Sequence, residues 1–311
     1  MMRHLRSLAD ARLETESIVT IGVFDGVHRG HQALASELAQ RARHSGRKAV
    51  VVTFFPHPDK VLDSTEERYY LTPPDERARL LLDLGVNLVI THPFDEATRQ
   101  LRAVDFVTLL VKRLRMQELR VGAEFALGFQ REGDVAFLRA QGQQHGFHVA
   151  TVAPITANGE RIRSADLREL VRAGDMRGAA ALLGRHYSLA GEVVLGEQRG
   201  RTLGFPTANL AVWQEQIVPA RGVYAAWALV DGARYMAATN IGLRPTFGGA
   251  SPSVEAHLLD FHGDLYGAGI TLAFVERLRM EQKFASLGAL TAQIRADVAA
   301  VRARLSGCSA A

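Results

Sequence analysis

His28 and His31 stand three residues apart in Gly22-Val-Phe24-Asp25-Gly26-Val-His28-Arg29-Gly30-His31. Residues 18–24 ahead of them form a short β-branched run that reads as a buried strand. Residues 32–43 behind them carry apolar side chains at helical spacing. A helix N-terminus exposes free N–H groups and the positive end of the helix dipole, and Gly22, Gly26 and Gly30 allow close backbone approach to a ligand. Two imidazoles at such a place suit a phosphate chain whose negative charge grows in a transition state. The bland alternative is a strand–turn–helix with two surface histidines, and placement directly after a buried strand weighs against it.

A second constellation lies beyond residue 190. Gly196, Arg199, Gly200 and Arg201 form a glycine- and arginine-bearing loop that leads into Gly204-Phe205-Pro206-Thr207-Ala208-Asn209. Backbone donors, a hydroxyl and an amide in that arrangement suit a triphosphate and Mg²⁺, whose ligands are hard oxygens. Downstream, Val254, Ala256 and Leu258 alternate with Glu255, His257 and Leu259. Glu255 on the second face of such a strand is either solvated or placed to accept a proton from a substrate hydroxyl.

The elements that must position these residues fall into two halves. Up to residue 184, strand candidates at 18–24, 49–54, 87–91, 118–121 and 147–152 alternate with helix candidates at 32–43, 74–84, 103–115, 164–173 and 175–183, the pattern of a parallel sheet flanked by helices. Gly184 reads as the stop of the last helix. Strand candidates at 187–195, 222–230, 234–241, 253–261 and 270–278 follow with turn residues between them. They imply a small antiparallel barrel, which the amphipathic segment 287–305 closes as a helix. Two domains are expected, 1–184 and 185–311.

Composition narrows the function classes. The chain has 311 residues, 47% of them hydrophobic and 23% charged, with a formal net charge of +4 spread evenly over the two halves. Neither half is a basic nucleic-acid platform, and 7% aromatic residues make a poor stacking surface. The single cysteine, Cys308, excludes an internal disulfide and CxxC metal sites, consistent with a reducing compartment. No apolar run approaches a membrane span and no secretory leader is evident, so a cytoplasmic location is expected. No oligomer beyond a monomer or weak homo-oligomer is implied. GxxxxGK, GxGxxG after a strand, GxSxG and HExxH are all absent.

The H-x-G-H unit resembles the nucleotidylyltransferase superfamily, and the whole series resembles a narrower family. Gly22 to His31, Val52-Thr53-Phe54-Phe55-Pro56-His57-Pro58, Arg199 to Asn209, Val254 to His257 and Asp264-Leu265-Tyr266-Gly267 occur in that order. Together they look like the bacterial bifunctional riboflavin kinase/FAD synthetase family. The resemblance implies a Rossmann-like α/β nucleotidylyltransferase domain followed by a β-barrel kinase domain with a C-terminal helix. It also implies two Mg²⁺-dependent reactions: ATP with riboflavin giving FMN, and ATP with FMN giving FAD and pyrophosphate. By motif, Glu255 matches the kinase base, and Gly196, Arg199, Gly200, Thr207 and Asn209 match the kinase ATP site, with Thr207 and Asn209 on the metal. Arg279, before Phe284, matches a flavin-side position. His28 and His31 match the adenylyl-transfer histidines, and Gly22, Phe24, Asp25, Gly30, Ser164 and Arg168 match the ATP site of that domain. The family's Ser-Ser-Thr-x-Ile-Arg run reads Arg163-Ser164-Ala165-Asp166-Leu167-Arg168 here, and Ala126 stands where an arginine is common. A lost hydroxyl to phosphate costs about 1–3 kcal/mol. The alternative expectation is therefore a riboflavin kinase whose first domain binds nucleotide or flavin but turns over poorly. A barrel-based nucleic-acid module and a generic cytidylyltransferase leave one or other constellation without a role.

Overall fold

The computed structural model describes residues 2–62, 68–153, 156–157, 160–196, 200, 203–246 and 249–307. Two compact units divide the chain: residues 1–66 with 72–164, and residues 67–71 with 165–311.

The first unit is built on six parallel strands: β1 (Arg3–Leu5), β2 (Ser17–Ile21), β3 (Lys48–Phe55), β4 (Leu88–Pro93), β5 (Met116–Gly122) and, after the two-residue pair β6 (Ala126–Leu127) and β7 (Gly133–Asp134), β8 (His148–Val152). Their spatial order is β1-β4-β3-β2-β5-β8. Every residue of β2 is buried, as a central parallel strand with covered faces requires. The two faces carry separate cores. Val19, Ile21, Val50, Val52, Leu119 and Val121 pack against α5 (Ala103–Leu114) and α6 (Val135–His145). Ile18, Ala49, Val51 and Val89 pack against α1 (Arg29–His44) and α3 (Pro74–Asp83). Short helices α2 (Pro58–Leu62) and α4 (Glu96–Gln100) fill connections, and β9 (Thr156–Ala157) pairs with β10 (Glu160–Arg161). The chain moves from β2 outward through β3 and β4, then returns to the other side of β2 with β5 and β8. The carboxyl end of β2 is thus a topological switch point, where open α/β sheets bind ligands.

The second unit holds α7 (Ser164–Ala173) from Ala165 onward, α8 (Met176–Leu183) and a closed antiparallel barrel. The barrel strands are β11 (Tyr187–Val194), β12 (Ala208–Val212), β13 (Gly222–Val230), β14 (Ala233–Thr246), β15 (Gly249–Leu258) and β16 (Gly269–Arg279), in the order β11-β12-β15-β14-β13-β16. Its interior is filled by alternate residues such as Leu189, Leu210, Tyr224, Ala256 and Phe274, and Leu167, Val171, Met176 and Leu183 extend the same core. A separate cluster beneath α9 (Leu287–Leu305) joins Val301 and Leu305 to Ala225 and Trp227. The expected stop at Gly184 is present: its φ of 70° is left-handed and its N–H donates to the carbonyl of Ala180. The expected domain boundary also fell there, whereas the compact division runs between Ser164 and Ala165 and groups α8 with the barrel.

Three differences from the sequence expectations have local causes. The strand expected to run to Phe24 ends at Ile21, because Phe24 already takes a left-handed φ of 56°. Strand β12 begins inside the run read as a loop, since Asn209 gains partners on both sides, Val194 of β11 and Glu255 of β15. Helix α6 was not expected, although the Asp134 side chain accepts from the Phe137 N–H at its start and left-handed Gly146 ends it.

Candidate functional sites

In the first unit, the turn from β2 to α1 is a run of unusual backbone. Phe24 (φ 56°), Gly26 (φ 80°) and Val27 (φ 41°) are all left-handed. This region suits glycine, and a β-branched residue adopts it only when its surroundings impose it. The loop packs tightly at Gly22, where an added Cβ would lie 3.0 Å from the Phe24 ring. His28 caps α1: its Nδ1 accepts from the His31 N–H at 3.3 Å, which leaves the ring proton on Nε2. The two imidazoles stack with centroids 3.6 Å apart, and the Phe24 ring lies 5.0 Å from His31. Burial holds the His31 pKa well below the ordinary histidine value, and the proximity of His28 and the Arg77 cation acts in the same direction. Its Nδ1 is buried and has no hydrogen-bond partner among the described residues.

Behind the loop, Asp25 is 1% exposed. Its Oδ1 accepts from the Thr72 N–H at 3.1 Å and the Thr72 hydroxyl at 3.3 Å, with the Arg77 guanidinium at 3.5 Å. The Ser164 hydroxyl donates to the Asp25 carbonyl at 2.9 Å. The structure therefore gathers Gly22, Phe24, Asp25, His28, Gly30, His31 and Ser164 around one turn. Arg168 belongs to the second unit, where its Nε donates to the Tyr69 carbonyl at 3.0 Å and its guanidinium lies 4.0 Å above the Tyr69 ring.

In the second unit, register does the positioning. Asn209 of β12 pairs with Glu255 of β15, which in turn pairs with Asn240 of β14, so three polar side chains share one face of the barrel wall. Val254, Ala256 and Leu258 point into the core, as the alternation predicted. Asn209 is buried and Glu255 half-buried. Gly196 lies against Asn209: a Cβ there would sit 2.5 Å from Asn209 Cγ and 2.7 Å from Oδ1. Gly200 makes a tight turn, its carbonyl accepting from the N–H groups of Leu203 and Phe205 at 3.1 and 2.8 Å. Arg199 and Arg201 lie outside the described residues, as does Cys308. A cavity of about 570 Å³ opens at Asn209, lined also by Pro206, Thr207, Phe261, His262 and Tyr266.

Arg279 ends β16 in a two-pronged ion pair with Asp297 of α9, at 2.9 Å from Nε to Oδ1 and 2.8 Å between the terminal nitrogen and Oδ2. Its guanidinium stands 5.7 Å from the Phe284 ring. Sequence reasoning missed Thr72, Arg77, Phe261 and His262. The last two adjoin the quoted Asp264–Gly267 run, whereas nothing near Thr72 or Arg77 announces a partner about fifty residues upstream.

Among the described residues, no cluster of three or more His, Cys, Asp or Glu side chains could hold a metal, and no helix is long and apolar enough to cross a membrane. The hydroxyl of Thr207 and amide of Asn209 still fit Mg²⁺, which keeps several waters and is held largely by substrate phosphates.

Comparison with known proteins agrees with both halves. The family model for FAD synthetase matches residues 10–166, and that for riboflavin kinase matches residues 183–305. A bifunctional riboflavin kinase/FMN adenylyltransferase of Pseudomonas fluorescens is 41% identical over 97% of both chains. The protein of that name from Escherichia coli K12 is 38% identical, over 96% of this chain and 95% of its own. A crystal structure from Streptococcus pneumoniae, named as a macrolide-efflux protein, superposes with a TM-score of 0.86 at 29% identity, over 97% of this chain and 98% of its own. With matches on this scale in each half, the chain belongs to the family of bifunctional riboflavin kinase/FMN adenylyltransferases.

Proposed function

We propose that the two activities of this bifunctional riboflavin kinase and FMN adenylyltransferase are divided between the halves of the chain, residues 1–184 and 185–311. FMN adenylylation would occur at the His28–His31 turn, and riboflavin phosphorylation at the Asn209–Glu255 row. The observation that carries this reading is that each unit contains its own phosphate-suited constellation at a place its fold prepares.

At the barrel, the Glu255 carboxylate accepts the proton of the riboflavin ribityl hydroxyl as that oxygen attacks the γ-phosphorus of ATP, giving FMN and ADP. Gly196 and Gly200 let the phosphates approach, and Thr207 and Asn209 would hold Mg²⁺, which would neutralise charge on them. The cavity walled by Phe261, His262 and Tyr266 supports a nucleotide base. Arg279, fixed by Asp297, faces the flavin.

At the turn, a phosphate oxygen of FMN attacks the α-phosphorus of ATP, giving FAD and releasing pyrophosphate. No protein nucleophile is required; the work is positioning and charge stabilisation. The α1 N-terminus, the His28 Nε2–H and neutral His31 meet the triphosphate, and Gly22 and Gly30 let it approach. Ser164 supports the turn through the carbonyl of Asp25. A cytoplasmic location, with ATP, riboflavin and FMN as small-molecule partners and the chain a monomer or weak homo-oligomer, fits this chemistry.

The test is chromatographic. Purified protein with Mg-ATP should convert riboflavin to FMN and then FAD, and FMN to FAD. Glu255→Gln should abolish FMN formation and leave FMN-to-FAD conversion intact, while His31→Ala does the reverse. Loss of both activities in a folded variant of either kind would refute the division.

A further inference from the structure

The turn proposed for adenylyl transfer is held from behind by two residues, Thr72 and Arg77. Thr72 sits just before α3 and Arg77 in its first turns. The Thr72 hydroxyl accepts from the Gly26 N–H at 3.2 Å and donates to the Asp25 carboxylate, to which the Thr72 N–H also donates. The Arg77 guanidinium, 0% exposed, donates to the carbonyls of Val23 at 3.1 Å, Phe54 at 3.2 Å and Thr72 at 3.4 Å, and lies against Asp25. A wholly buried guanidinium is costly unless paired and hydrogen-bonded. Here it ties the residues after β2 to the end of β3, at the switch point itself. Between those anchors lie the left-handed residues Phe24, Gly26 and Val27, a conformation that persists only when over-determined by its surroundings.

We propose that Thr72 and Arg77 are positioning residues for adenylyl transfer, clamping Asp25 and Gly26 so that the turn presents His28 and His31 in their stacked arrangement. Asp25 then acts through this clamp, its carboxylate turned inward. The inference rests on the reading that adenylyl transfer takes place at His28 and His31.

The deciding experiment uses the full-length chain, because its kinase reaction is an internal control. Thr72→Val keeps the shape and removes the hydroxyl; Thr72→Ser restores the hydroxyl; Arg77→Met removes the guanidinium. Steady-state FMN-to-FAD kinetics, riboflavin phosphorylation and thermal unfolding are measured on each, with His31→Ala alongside. Thr72→Val should lower kcat for FAD formation about tenfold or more, with KM for ATP changed less than about threefold, as expected when a transition-state arrangement is lost. The kinase rate should be unchanged, and Thr72→Ser should recover most of the loss. Arg77→Met should fall further; if it fails to fold, Thr72→Val decides alone. An inactive His31→Ala beside a fully active Thr72→Val overturns the clamp and leaves the site. A parallel fall of both activities in Thr72→Val makes its role merely structural and also overturns the clamp. FAD formation surviving in His31→Ala removes the site reading itself, and the clamp with it.

Discussion

Gly196→Ala is a one-methyl perturbation whose consequence can be worked from geometry. An ideal Cβ at Gly196 falls 2.5 Å from Asn209 Cγ and 2.7 Å from Oδ1, and also strikes Nδ2. Ordinary carbon–carbon contact is about 3.5–4.0 Å, so the amide must move by about 1 Å. The backbone of Asn209 cannot yield easily, because β12 is paired there with β11 and β15. The side chain has little room either, being 5% exposed. Gly196 does not take a left-handed φ, so the methyl adds bulk without backbone strain. With Asn209 among the residues proposed to hold Mg-ATP, a misplacement of this size should cost about 100-fold in rate, or about 2.7 kcal/mol. The assay is kcat/KM for riboflavin phosphorylation, with FMN-to-FAD conversion by the same preparation as reference; only the first should fall. A double-mutant cycle isolates the cause. With Asn209→Ala already in place, adding Gly196→Ala should cost less than about threefold. If the single variant keeps wild-type kinase activity, or loses about 100-fold even without the Asn209 amide, the steric argument is wrong.

Two predictions concern protons. Burial, with His28 and Arg77 nearby, lowers the His31 pKa well below the ordinary value of 6.5, so NMR titration should keep its ring signals at neutral positions as other histidines protonate. Because the unfolded chain then binds the extra proton, this residue should cost stability as pH falls below about 6.5, by up to about 1.4 kcal/mol per pH unit; a normal His31 midpoint would refute it. Glu118 is 3% exposed, and although burial raises its pKa, hydrogen bonds and charge from Arg41 and Arg120 bring it below the ordinary glutamate value. Its stabilisation should be full above the unfolded pKa, near 4.3, and be lost as pH falls through the lower folded value. Glu118→Gln should therefore cost about 2 kcal/mol near neutral pH, and its difference from the natural chain in urea melts should shrink on acidification. A pH-independent difference would sink that account.

How much of this was legible depended on the range of the signal. Buried β-branched runs, helical spacing and Gly184 as a stop are written within a dozen residues, and they placed β3, α7, β13 and α9 well. The row of Asn209 and Glu255 was half-legible: the alternation around Glu255 assigned its face, but its pairing with Asn209 and Asn240 arises from register across strands distant in sequence. The clamp was not legible at all. Arg77 stands within the helix candidate 74–84 with nothing in its local pattern to mark it for burial, and only the fold makes it one of the largest fully buried side chains. Strand β1 escaped for a related reason. Arg-His-Leu has no strand pattern, and parallel pairing with β4 alone makes it one.

The turn after β2 also departs from what helix stability alone would select. Helices favour Ser, Thr, Asp or Asn at the cap, because a short oxygen reaches the free N–H groups with little loss of freedom. Here a histidine fills that place, accepting at 3.3 Å, near the long end for such a bond. Before it stands Val27 in a left-handed conformation for which glycine is far better suited. A chain optimised only for a strong helix start would carry neither residue. Both departures fall within the six residues from Val23 to His28, and the same segment receives the buried Arg77, the Thr72 hydroxyl and the Ser164 hydroxyl. Local preferences yield where long-range bonds hold a segment against them, and such conflicts collect where a protein must present chemical groups in one fixed arrangement. Stacked imidazoles at a helix N-terminus are the arrangement held here, and the bonds from Arg77, Thr72 and Ser164 converge on the segment that presents them.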